Sequence, residues 1–213
     1  MVPLSRALAA SLNIISVRLY DIVGPDKIID FASRMTKVPP TDFGANPSLA
    51  LGTTELTPFE MATGMAIYAN RGKDVIPFAV RYVVDRDGNE IANVEGEVGD
   101  ILARRAKNGT IQVVSEDVAW IMTQMMMRVI DSGTATEGIR EQGGFTKKAA
   151  GKTGTTSNWS DAWFCGFTPD LATVVWIGYD QSFMSLGKNQ SASAVAAPVW
   201  GKYMSGFYRD RPD

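Results

Sequence analysis

Apolar residues at Leu4, Leu8, Leu12, Ile15, Leu19 and Ile22 recur at roughly helical spacing until Gly24-Pro25 ends the run. The spacing predicts helical structure over residues 4–23, with room for an interruption. Pro25 suits the first turn of a second helix, whose apolar face of Ile28, Ile29, Phe31, Ala32 and Met35 extends to Thr36 before Val38-Pro39-Pro40 forbids continuation. Residues 41–52, carrying Pro, Gly, Asn and Ser, predict a surface connection. Thr57-Pro58-Phe59-Glu60 is a capping box with proline at the first helical position, and Leu56 with Met61 can add a hydrophobic staple. That helix is expected to reach about Asn70, with Gly72 as its stop.

Over residues 75–84 the pattern changes to short β-type runs. Asp85-Arg86-Asp87-Gly88-Asn89 then turns into Glu90-Ile91-Ala92, predicting a small peripheral hairpin. After a polar stretch, Ser115 stands where it can cap a helix with a buried stripe of Val118, Ile121, Met122, Met125, Met126 and Val129. The methionines read as core filling. A glycine-rich loop over residues 131–144 delivers the chain to a strand at 148–156. Two further β-type runs, 161–167 and 171–179, are joined by Thr168-Pro169-Asp170 and complete an antiparallel meander. A last helix over 193–208 would pack Val195, Val199, Tyr203 and Phe207 on that sheet. Helices first and strands later indicate an α+β domain, with residues 1–144 mainly helical and 145–213 a sheet meander plus C-terminal helix.

Composition narrows the chemistry. The 213 residues fit a single domain, and a net charge of −2 gives no electrostatic reason to expect a nucleic-acid partner. No run of about twenty apolar residues could span a membrane, and no signal peptide is visible. The single cysteine, Cys165, cannot form an internal disulfide, and the absence of histidine removes the usual zinc ligand sets and every Ser-His-Asp or Cys-His mechanism. No metal or cofactor is expected, and nucleophilic chemistry here would need lysine as its base.

The densest chemistry lies in Ala149-Ala150-Gly151-Lys152-Thr153-Gly154-Thr155-Thr156. Gly151-Lys152-Thr153 superficially suggests a nucleotide phosphate loop, but Thr146 stands where that loop needs its first glycine, and a strand follows instead of a helix. On a strand, Thr153 and Thr155 share one side and Lys152 and Gly154 the other, while the long lysine stem can curl over the strand edge. A cation among hydroxyls makes a receptor for a carboxylate. Ser11 and Asn13, two apart, would point about 200° from each other on a continuous helix, so they share a cleft only if the backbone turns locally.

With these residues in view, Lys152-Thr153-Gly154 resembles the lysine-threonine-glycine motif of the penicillin-binding proteins, and Ser11-Leu12-Asn13 their serine-x-asparagine motif. Ala7-Leu8 before Ser11, Leu51-Gly52-Thr53-Thr54-Glu55-Leu56-Thr57-Pro58, and Asp161-Ala162-Trp163-Phe164 after the lysine motif are similar to the phrasing of bifunctional class A transpeptidase domains. The resemblance covers essentially the whole chain. It implies the fold shared by penicillin-binding proteins and serine β-lactamases: an antiparallel sheet with packed helices, a mainly helical subdomain and a cleft between them.

One departure stands out. That family acylates a serine in a serine-x-x-lysine motif several tens of residues before the serine-x-asparagine motif, whereas only ten residues precede Ser11 and none forms the motif. The one match, Ser185-Leu186-Gly187-Lys188, follows the lysine motif among turn-like residues and reads as coincidence. The expectation is a domain incomplete at its N-terminus and inactive by itself. The resemblance implies that Ser11 relays a proton, Asn13 hydrogen-bonds the substrate amide, Lys152 keeps the field positive, and Thr153, Gly154 and Thr155 bind substrate. It implies peptidoglycan stem peptides and β-lactams as ligands, the missing N-terminal part as a partner, and an extracytoplasmic place in a membrane-anchored parent. The rival expectations are a non-catalytic D-Ala-D-Ala-binding or scaffold module and a serine β-lactamase relative, for which no water-activating motif is found.

Overall fold

The structure is a computed structural model that describes residues 2–181 and 183–211. The first apolar run forms two helices, α1 (Leu4–Ala9) and α2 (Asn13–Val23). Between them the chain makes a Schellman turn: Leu12 N–H donates to the Ala7 carbonyl at 2.9 Å and Ser11 N–H to the Leu8 carbonyl at 3.1 Å. The left-handed position of that turn, normally glycine, is occupied by Ser11 at φ 52°. α3 (Pro25–Thr36) follows, then the 3₁₀ turns Pro40–Asp42 and Pro47–Leu51. α4 (Pro58–Ala69) begins with the expected capping box, in which the Thr57 hydroxyl accepts from Glu60 N–H at 3.3 Å and the Glu60 carboxylate from Thr57 N–H at 2.7 Å.

Of the β-type run over 75–84, only its end pairs: β1 (Tyr82–Val84) lies antiparallel to β2 (Glu90–Asn93). The polar stretch after it holds an unanticipated 14-residue helix, α5 (Val94–Lys107). No residue of α5 is fully buried, but Val94, Val98, Ile101 and Leu102 form a half-buried stripe at helical spacing; Asn93 caps Gly96 N–H at 2.8 Å, with Glu95 and Glu97 in its first turn and Arg104, Arg105 and Lys107 in its last. Buried Asp74 ties α5 to the rest, pairing with Arg105 of α5 and with Lys37 after α3.

α6 (Glu116–Ser132) starts after Ser115 as expected, but the Ser115 hydroxyl bonds the Asp117 carboxylate and caps no backbone N–H. Its buried face is also rotated from expectation. Ala119, Met126, Val129 and Ile130 are buried, whereas Val118 and Ile121 are 42% and 49% exposed.

A π-helical turn, Glu137–Gln142, leads to the sheet of β3 (Ala150–Thr155), β4 (Asp161–Phe167) and β5 (Ala172–Gly178), antiparallel in the order β3-β4-β5. The phosphate-loop alternative ends here, because Gly151, Lys152 and Thr153 lie inside β3. α7 (Ala196–Phe207) covers one sheet face with Trp200 fully buried, its ring edge-on to Phe164 at 5.1 Å and to Phe145 at 5.6 Å. Val199 and Tyr203, expected inside, are 47% and 54% exposed; the helix turns Ala196, Ala197, Trp200, Gly201 and Met204 inward instead. Burying one tryptophan removes about 150–250 Å² from water, on the order of 4–6 kcal/mol before entropy, so Trp200 fixes the seat of α7. The other sheet face packs Ala150 and Phe167 against Met65 and Tyr68 of α4 and Met126 of α6. No helix among the described residues is long and apolar enough to cross a membrane.

Candidate active site

Ser11 and Lys152, 141 residues apart in the chain, meet at one hydrogen bond. The turn after α1 exposes Ser11, and the Lys152 ammonium on β3 donates to its hydroxyl at 2.8 Å. The lysine stem folds back along its own strand, so the same ammonium donates to the Thr153 carbonyl at 2.7 Å. Ser11 reaches this position only because its backbone is left-handed, a conformation costing a non-glycine residue on the order of 1 kcal/mol.

The electrostatics single out Lys152. Burial pulls its pKa down to about 8, and the titratable group that acts on it is Cys165, directly opposite on β4. That thiol is buried and pushed up to about 12, so it stays protonated at neutral pH and supplies no counter-charge. Among the described residues, Lys152 makes no ion pair, and its two partners are neutral oxygens. A half-buried ammonium held by a hydroxyl and a carbonyl is an anion receptor, since a carboxylate there would regain the electrostatic stabilisation lost on burial.

The threonines of β3 lie on the other sheet face, as strand alternation requires. The Thr153 hydroxyl is 2.6 Å from that of Thr134, and the Thr155 hydroxyl accepts from Ala192 N–H at 2.9 Å. One proton of the Thr153–Thr134 pair and the proton of Thr155 remain free to donate to a ligand. Thr134 joins this cluster although no sequence motif exposed it; the only sign was the hydroxyl and glycine content of residues 131–144. It links the two halves of the site, because its N–H also donates to the Ala9 carbonyl at 3.1 Å, just before the Ser11 turn. Gly133 makes this approach possible: a Cβ there would lie 2.6 Å from the Ala9 carbonyl oxygen and 2.8 Å from Val129 Cα.

Asn13 opens α2 within two residues of Ser11, is exposed, and its side chain makes no hydrogen bond to a described residue. Gly154 is exposed on β3, where an added Cβ would meet Trp163 Cβ at 3.4 Å, an ordinary contact, so space alone does not require glycine there. Ser185 lies far along the chain in a loop, its hydroxyl donating to the Asn158 carbonyl at 2.7 Å and accepting from Gly187 N–H at 3.1 Å, a turn-forming role with no bond to Lys188. Among the described residues no cluster of His, Cys, Asp or Glu could hold a metal ion.

Comparison with known proteins adds an independent line. Residues 1–205 match the family described as the penicillin binding protein transpeptidase domain. The chain is 34% identical over 212 residues to penicillin-binding protein 1A of Aquifex aeolicus, covering 100% of this chain and 26% of that protein. It is 35% identical over 203 residues to penicillin-binding protein 1A of Neisseria gonorrhoeae, covering 95% of this chain and 24% of the relative. It thus spans about a quarter of the length of these curated relatives. The crystal structure of penicillin-binding protein 1A from Haemophilus influenzae superposes with a TM-score of 0.84 at 26% identity, over 100% of this chain and 35% of that one. A Mycobacterium tuberculosis homologue in complex with penicillin V gives 0.76 at 22% identity, over 98% of this chain and 57% of that one, a likeness of fold. The 1A relatives agree with the class A phrasing of the sequence.

Proposed function

Because the chain belongs to the penicillin-binding-protein transpeptidase family, we propose that it supplies the peptide-recognition wall of a D,D-transpeptidase site in peptidoglycan cross-linking and carries no acylating serine of its own. The observation that carries this reading is Lys152: a half-buried ammonium, hydrogen-bonded to Ser11 and the Thr153 carbonyl, without an anion among the described residues. A peptide ending in D-Ala-D-Ala would place its terminal carboxylate against Lys152 and the free hydroxyl protons of Thr153 and Thr155. Gly154 leaves the strand surface clear for that approach, and Asn13 would hold the peptide amide from the α2 side.

In the full reaction a serine from outside these 213 residues attacks the penultimate D-alanine carbonyl. The attacking serine gives its proton to a lysine base that also lies outside these residues, the C–N bond to terminal D-alanine breaks, and Ser11 relays that proton to the leaving amine while Lys152 stays charged and keeps the field positive. The acyl-enzyme is then opened by an amine of a second stem peptide, forming the cross-link. β-Lactams, with a carboxylate beside a strained amide, fit the same wall. An extracytoplasmic setting belongs to this reading, since that is where such peptides are cross-linked. The second reading, a binding or scaffold module without catalysis, draws on the same observation, because the carboxylate receptor is assembled without any nucleophile.

The recognition claim is tested by NMR titration of the chain with an N-acetylated peptide ending in D-Ala-D-Ala. Weak, saturable shifts at Lys152, Thr153 and Thr155 are expected, with their loss in Lys152→Ala. Unchanged titration of that variant would sink the proposal.

A further inference from the structure

Beside the Ser11 turn lies a cavity of about 400 Å³, lined by Arg6, Ala9, Ala10, Arg128 and Ser132. It occupies the groove between α1 and α6. Arg6, Ala9 and Ala10 follow one another at helical spacing, as do Arg128 and Ser132, so each helix turns one ridge towards the hollow. The two alanine methyls leave the space that longer side chains would fill. Neither guanidinium makes an ion pair or hydrogen bond to a described residue. Two like charges lining one hollow repel each other, and an anion between them relieves the repulsion while matching the planar fork of arginine.

The hollow is fixed with respect to the carboxylate wall at both ends. Ala10 immediately precedes Ser11, whose hydroxyl holds Lys152, and Ser132 lies two residues before Thr134, whose hydroxyl is 2.6 Å from that of Thr153. The close approach of Gly133 to the Ala9 carbonyl locks the ends of α1 and α6 together, so the backbone positions that carry the two exposed arginines are fixed relative to each other.

We propose that this hollow is a second carboxylate subsite, in which Arg6, Arg128 and Ser132 take an acidic side chain of the peptide whose terminal carboxylate sits at Lys152, Thr153 and Thr155. It rests on the recognition reading above and adds a preference that reading does not contain: an acidic residue shortly before the D-Ala-D-Ala terminus.

Calorimetry of the whole chain with two peptides tests it, acetyl-Glu-D-Ala-D-Ala and acetyl-Gln-D-Ala-D-Ala, which differ by one charge. The glutamyl peptide is expected to bind about fivefold tighter at low salt, the scale of one partly exposed ion pair. In the double variant Arg6→Gln, Arg128→Gln that advantage disappears, while the glutaminyl peptide binds as it does to the original chain. Equal binding of the two peptides to the original chain overturns the subsite and leaves the terminal-carboxylate wall standing. An advantage that survives the double substitution also overturns it, by assigning the preference to the field of Lys152. Binding of neither peptide overturns the recognition reading and the subsite with it.

Discussion

Raising the pH from 7 to 9 is expected to weaken binding of a D-Ala-D-Ala peptide to this chain, and the size of the loss follows from Lys152. Burial disfavours the ammonium and brings its pKa down to about 8, so the neutral amine appears well below the ordinary lysine range. A carboxylate is attracted by the charged form only. Affinity is therefore greatest below about pH 8 and falls as pH rises through it. The charged fraction drops from about nine-tenths at pH 7 to about one-tenth at pH 9, and the apparent dissociation constant scales with its inverse, a weakening of about tenfold. A lysine with an ordinary pKa of about 10.4 would remain almost fully charged at pH 9 and give no measurable change. The facing groups do not blur the effect: Cys165, pushed up to about 12, stays protonated throughout, and Ser11 and the Thr153 carbonyl are neutral. Isothermal titration at constant ionic strength at pH 7, 8 and 9 measures the curve, with Lys152→Arg as a control that holds its charge and flattens it. A flat profile for the unsubstituted chain would refute the argument from burial.

Other consequences separate stability from function. Ser11→Gly relieves the left-handed backbone and is expected to stabilise the chain by roughly 0.5–1 kcal/mol, raising its melting temperature by about 2 °C while weakening peptide binding; a lower melting temperature would contradict the strain assignment. Gly151→Ala puts a methyl 2.6 Å from Phe164 Cζ and 2.7 Å from the Cys165 carbonyl oxygen inside the sheet, so a loss of roughly 2–3 kcal/mol is expected in urea unfolding, and a neutral result would show that β3 can yield. Asp74→Asn leaves Lys37 and Arg105 without their shared anion; both cations are partly exposed, so the expected loss is only about 1–2 kcal/mol, accompanied by faster hydrogen exchange in α5, and unchanged exchange there would count against Asp74 as its anchor.

The sequence displayed what is local and periodic. The Thr57 capping box, Pro25 at the start of α3 and the β-type runs of β4 and β5 each depend on neighbours within a few residues, and each is found where it was expected. It concealed what depends on distant packing. α5 buries no residue fully, and its short stripe of Val94, Val98, Ile101 and Leu102 is interrupted by Gly96 and Gly99 and set among charges, which masks the helical period. The inner face of α7 is chosen by Trp200 and small residues fitting the sheet and the π-helical turn, a fit that Val199 and Tyr203 could not reveal. The site shows the same division. Lys152, Thr153 and Ser11 are visible as motifs, but the Schellman turn that aims Ser11, the thiol of Cys165 opposite Lys152, and the bridge through Thr134 arise only when separate stretches meet. The placement of Asn13 and Gly154 in a working site rests on the resemblance, since in this structure neither side of that assignment is tied to Lys152 by a hydrogen bond.

The central claim is that this chain carries the wall of a transpeptidase site and not its nucleophile, and intact-mass spectrometry after incubation with excess benzylpenicillin tests it most directly. The expected spectrum shows the unmodified chain alone. A stoichiometric adduct of one penicillin, mapped by proteolysis to Ser11, Ser185 or any other residue of these 213, would contradict it.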